Sequence, residues 1–132
     1  MDTNIRKKTR TGAKTAQVPG TVSNADARDV LLREVSEAEF QQAILEYAHL
    51  RGWLCHAQRP ARSDKGWRTP IQGDPGYFDV TCAKEGRVVF LELKKQGGTA
   101  TPAQLAWIKA AWRYAYLVMP SDWPLIEEVL SA

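Results

Sequence analysis

At 132 residues the chain fits a single domain and leaves little room for a second core. Its composition, 44% hydrophobic and 25% charged, is that of an ordinary globular protein, and no apolar run approaches the roughly 20 residues needed to span a bilayer. The net charge of +3 and the pI of about 9.0 are a mild basic excess, compatible with a polyanionic partner without requiring one. The basic N-terminus has no apolar stretch behind it and does not read as a secretory signal. Cys55 and Cys82 lie in apolar segments without a CxxC spacing, so neither a zinc site nor a disulfide framework is expected. Small buried thiols in a reducing cytoplasm are the expectation.

Residues 1–34 read as a basic, disordered tail, because so few large apolar residues cannot offset the entropy of ordering. Its Arg6, Lys7, Lys8, Arg10 and Lys14 either touch nucleic acid or are simply solvated. The domain proper is expected over residues 35–132. Ser36 and Glu39 have capping-box spacing, Val35 and Phe40 that of a hydrophobic staple, and Phe40, Ile44, Tyr47 and Ala48 recur at helical period. This helix should stop near Gly52. A short strand over 53–57 follows, then a loop over 58–76, long enough to suggest a functional role.

A hairpin comes next, with strands over 78–83 and 87–94 around a Lys84-Glu85-Gly86 turn. The apolar run Val88-Val89-Phe90-Leu91 suits a central strand covered on both faces. Thr101, Pro102 and Gln104 open a second capped helix, with Leu105, Ile108, Trp112 and Ala115 as its apolar face. Trp53, Trp107 and Trp112 all fit core faces. A strand over 116–119 follows, and Ser121 or Asp122 caps a last helix through Leu130. The whole is an α/β domain: a central mixed β-sheet flanked by helices.

The chemistry concentrates at the open end of the hairpin. Side chains alternate along a strand, so Glu92 and Lys94 share a face with Val88 and Phe90. On Glu92-Leu93-Lys94 alone, a strand leaving the core would explain both charges. Asp79 changes that reading. Counted outward from Glu85, Asp79 lies six residues away and Glu92 seven, so antiparallel pairing sets the two acids side by side. Two carboxylates at one place repel unless a cation lies between them, and Mg²⁺ typically takes one or two carboxylates plus substrate phosphates. Lys94 beside them supplies positive charge for an attacking water or a developing oxyanion.

Glu37 and Gln41 fall on the apolar stripe of the first helix, where they either meet this cluster or are solvated at the helix end. Arg59, Arg62, Lys65 and Arg68, with Trp67, form a basic loop patch suited to phosphate contact or to plain solvation. His56 is either an accessory base or an ordinary edge histidine, and Asp74 is read as a turn former.

These residues resemble the PD-(D/E)XK nuclease superfamily, in particular its small VRR-NUC branch. The resemblance runs over about residues 36–130, through Glu37, Gly76-Tyr77-Phe78-Asp79, the apolar strand ending in Glu92-Leu93-Lys94, and Gln104. It departs at Phe78, where the pattern usually carries proline. The resemblance implies a restriction-endonuclease-like core and Mg²⁺- or Mn²⁺-dependent hydrolysis of DNA phosphodiesters. Asp79 and Glu92 would hold the metal, with Glu37 or Gln41 completing its environment. Lys94 would position or activate water, and Gln104, already explained by its cap, would also touch Lys94. Stand-alone members are similar to Holliday-junction resolvases, are common in phages acting in the host cytoplasm, and often work as dimers on branched DNA. Two alternatives stand beside this: a non-catalytic nucleic-acid-binding module, and a subunit of a larger phage or restriction assembly. An intact acidic cluster argues against the module, because acids without a metal repel DNA.

Overall fold

The computed structural model describes residues 24–58 and 71–131; Arg59, Arg62, Lys65, Trp67 and Arg68, and the basic residues 6–14, lie outside them. The first described element corrects the sequence reading, in which a tail ran through residue 34. Asn24–Arg33 is an α-helix, α1. It buries none of its residues, so no apolar periodicity announced it. Good helix formers sustain it, together with an i,i+4 pair in which Arg33 Nε lies 2.7 Å from an Asp29 oxygen.

The helix α2 spans Glu37–Leu50. The Ser36 hydroxyl accepts from the Glu39 backbone N–H while the Glu39 carboxylate accepts from that of Ser36. Arg51 caps the other end, and Gly52 follows at φ +88°, in the left-handed region open to glycine. The strands are β1 (Leu54–Ala57), β2 (Val80–Lys84), β3 (Arg87–Leu93) and β4 (Ala115–Val118), in spatial order β1-β2-β3-β4. The first three pair antiparallel and β4 joins β3 in parallel, giving a mixed sheet. The hairpin turn is one residue tighter than expected. Lys84 pairs with Arg87, so only Glu85 (φ +49°) and Gly86 (φ +81°) bend the chain. Two positive φ angles in a two-residue loop match the twist of the flanking strands.

A parallel neighbour requires a crossover, and α3 (Pro102–Ala111) provides it. Thr101 caps α3 with Gln104 as its reciprocal partner. The helix ends sooner than its apolar spacing suggested, because Trp112 takes φ +42°. Residues 112–114 form a 3₁₀ turn, and Ala115 is buried as a strand residue rather than on a helix face. After β4, a 3₁₀ turn over Pro120–Asp122 leads into α4 (Trp123–Ser131). There the Asp122 carboxylate accepts from the Met119 N–H, closing that turn.

The alternation of β3 divides the interior. Val89, Leu91 and Leu93 pack with Phe40 and Ile44 of α2 and with Ile126 and Leu130 of α4. Phe90 points the other way, into a smaller cluster with Phe78, Ile108 and Leu117 under α3. Glu92 follows Phe90 on that second side. Val88, expected to be covered, is exposed at the turn end. Trp53 is buried and donates its indole N–H to the Leu130 carbonyl; Trp107 and Trp112 are only half-buried. Among the described residues, no helix is long and apolar enough to cross a membrane.

Candidate active site

Val80 pairs with Leu91, and the same register carried one residue further sets Asp79 opposite Glu92. The Asp79 N–H donates to the Leu91 carbonyl (3.1 Å), and an Asp79 carboxylate oxygen accepts from the Leu93 N–H (2.8 Å). One acid is thus fixed by the backbone that carries the other.

The loop leading into Asp79 is pinned from α3. At Gly76, φ is +92° and an added Cβ would stand 2.6 Å from the Ala103 carbonyl carbon, so only glycine lets the chain run this close. Trp107 donates its indole N–H to the Pro75 carbonyl (2.9 Å), and its ring meets Tyr77 edge-on. Phe78, which stands where the resembled pattern has proline, is buried and stacks on Phe90 with centroids 4.9 Å apart. Aromatic packing therefore supplies the local anchorage that a proline ring would give through its fixed φ.

Glu92 is 1% exposed, and neither of its carboxylate oxygens has a hydrogen-bond partner. An ionised carboxylate in such a place is costly, and its acidity shows this. Burial is the largest cause lifting its pKa from 4.5 to about 8. The Asp79 charge raises it further. Lys94 opposes the rise, with Nζ 3.7 Å from Glu92 Oε2.

Other candidates fall differently. Glu37 is exposed at the start of α2 rather than on its buried stripe, yet its charge still reaches Glu92 and raises it. Gln41 is half-buried one turn along. Among the described residues, no group of three or more His, Cys, Asp and Glu side chains converges as a metal site. The first turn of α2, Glu37 to Glu39, is exposed, and only from Phe40 onward does the stripe enter the core. Gln104 is engaged in the Thr101 cap, its side-chain oxygen accepting from the Thr101 N–H. His56 is exposed on β1. Cys55 and Cys82 face each other across β1 and β2 with sulfurs 3.7 Å apart, and both are free thiols. Burial, chiefly, pushes Cys82 up to about 12 and Cys55 upward too, so both stay protonated and inert.

Two features of the site escaped sequence reading. Gln96 is buried beyond Lys94, donating to the Ser121 hydroxyl (3.0 Å) and accepting from the Ser121 N–H (2.9 Å). With the Lys94 N–H donating to Val118, this ties the segment after β3 to the far side of β4. Neither periodicity nor motif signals it, because its partner lies 25 residues away. The second is Arg33, whose guanidinium lies over Gly97.

The pair Asp79–Glu92 fits a divalent cation: it is an all-oxygen donor set, one member is fixed, and the other is buried with unmet acceptor capacity. A cation there answers both the burial penalty and the mutual repulsion. Comparison with protein-family models, with curated proteins and with solved structures finds no match to this chain.

Proposed function

We propose that this chain is a metal-dependent DNA endonuclease of the PD-(D/E)XK type, similar to the VRR-NUC branch and built on a restriction-endonuclease-like core. The observation that carries the reading is Glu92, a buried carboxylate without a hydrogen-bond partner, set opposite a second carboxylate and beside an ammonium. Nothing in packing calls for that arrangement, and an apolar residue at Glu92 would be more stable. A mixed sheet with helices on both faces, and an acidic pair where an apolar strand leaves the core, support the family reading.

Asp79 and Glu92 would hold a Mg²⁺ or Mn²⁺ ion. Bound there, such an ion lowers the pKa of a coordinated water and stabilises negative charge on phosphate oxygens. Leu93 holds Asp79 in place through its backbone N–H, so that carboxylate needs no rearrangement to act. Lys94, half-buried and drawn toward Glu92, directs its remaining N–H donors at an attacking water or at the oxyanion that develops on phosphorus. Aromatic packing of Tyr77, Phe78 and Trp107 keeps the Asp79 loop from drifting. The mild net positive charge favours approach to DNA.

The test is cleavage of labelled DNA, four-way junction beside linear duplex, with Mg²⁺, Mn²⁺ or EDTA. Wild type should cut only with metal, and Lys94→Ala should lose that cutting. Binding without cutting under every metal would point instead to a non-catalytic nucleic-acid-binding module.

A further inference from the structure

Beyond β3 the chain turns through Lys95, Gln96, Gly97 and Gly98, with the Gly98 N–H donating to the Lys95 carbonyl (2.8 Å). This turn is held rigidly, by the two hydrogen bonds between Gln96 and Ser121 and by the Gly97 N–H donating to the Met119 sulfur. The Arg33 and Lys94 side chains both lie against its two glycines. A Cβ on Gly97 would stand 3.0 Å from Arg33 Nη1, and a Cβ on Gly98 3.4 Å from the Lys94 Cβ. Arg33 comes from α1, more than 60 residues earlier in the chain, and lies against the same turn as Lys94.

Its guanidinium is presented rather than buried. The side chain is 58% exposed; Asp29 holds it through Nε, and both Nη atoms lie against the Gly97 turn. An exposed guanidinium has the planar, forked geometry that suits a phosphate. Asp29 offsets part of the charge while fixing the orientation. Exposed Lys95 adds a second cation to the turn.

We propose that Arg33, set on the Gly97-Gly98 turn, is a backbone-phosphate contact that positions nucleic acid beside the Asp79–Glu92 pair. The inference rests on the nuclease reading and adds to it a role for α1. Arg33 binds a phosphate next to the scissile one, with Lys95 as its neighbour, and the contact is indifferent to base sequence.

The experiment measures binding of fluorescein-labelled four-way-junction DNA to the full chain, with Ca²⁺ replacing Mg²⁺, across a salt series. A side chain that neutralises one phosphate contributes about one unit to the slope of log K against log salt. Arg33→Gln should lower that slope by about one and weaken binding several-fold on junction and duplex alike. Asp29→Asn, which frees the guanidinium at a surface position, should strengthen binding and steepen the slope. An Arg33 that merely pins α1 to the turn would shift thermal unfolding and leave both slopes unchanged, which would overturn the inference. If wild type cuts DNA while both variants keep the wild-type slope, the Arg33 contact alone fails. If wild type neither binds nor cuts, the nuclease reading fails with it.

Discussion

The two ends of the β2–β3 hairpin carry the same kinds of charged residue under opposite conditions. At the turn end, Lys84, Glu85 and Arg87 stand at or near the surface. The Lys84 ammonium donates to the Arg51 carbonyl, and the Arg87 guanidinium lies 4.8 Å from the centre of the Trp53 ring. Each charge there keeps water or gains a partner, and the folded state carries no penalty. At the open end, Asp79, Glu92 and Lys94 are drawn inward, and Glu92 has lost water without gaining a hydrogen bond. Charge type alone says nothing about role. What separates the ends is desolvation that Lys94 only partly offsets, tolerated where a ligand supplies what the protein lacks.

The largest expected difference between the two ends is in activity. Glu92→Gln, nearly isosteric but uncharged, should reduce Mg²⁺-dependent cleavage by about 10²–10³-fold, the scale of removing one major electrostatic contribution to a transition state. Arg87→Ala at the turn end should leave the rate within about two-fold, since no reacting group lies there. Equal losses in the two variants, measured under single-turnover conditions, would erase the distinction between the ends.

Stability against pH sharpens it next. The folded state raises Glu92 from 4.5 to about 8, so the unfolded chain releases this proton first as pH rises. In EDTA, stability linked to Glu92 should be fully present below about pH 4.5. It should fall on the way to about pH 8 by an amount on the order of a few kcal/mol. Urea midpoints across that range should trace the decline in wild type, and Glu92→Gln should flatten it. A wild-type profile already flat would show that Glu92 is not held neutral by the fold.

The smallest effect is at the turn. Arg87→Ala removes a cation from the face of Trp53 at a solvated position, so a loss of only about 0.5–1 kcal/mol is expected in urea unfolding at pH 7. A loss as large as that seen at Glu92 would mean that the turn end, too, is under electrostatic strain.

The capping boxes at Ser36 and Thr101, the hairpin and the facing acids were all legible in the residues themselves. Each is a short-range pattern: a cap closes within one turn, and a tight turn fixes the register on both sides of it. The hairpin count placed Asp79 beside Glu92 to within one residue, and pairing made them direct neighbours. Where reading failed, the deciding forces came from far along the chain or from backbone conformation. Residues 24–33 looked like tail because a helix that buries nothing leaves no periodic trace. α3 is shorter than its apolar spacing predicts, because that spacing does not reveal that Trp112 turns to positive φ.

By itself, then, the sequence determined an α/β domain, its principal helix starts, and the meeting of Asp79, Glu92 and Lys94, because these follow from local spacing and strand alternation. Packing in three dimensions sets the rest: Glu92 is buried without a hydrogen-bond partner, Glu37 is exposed, Gln104 is taken up by its cap, and Arg33 reaches the turn after β3. Burial and proximity depend on elements that pack from distant parts of the chain, and no window of sequence contains them.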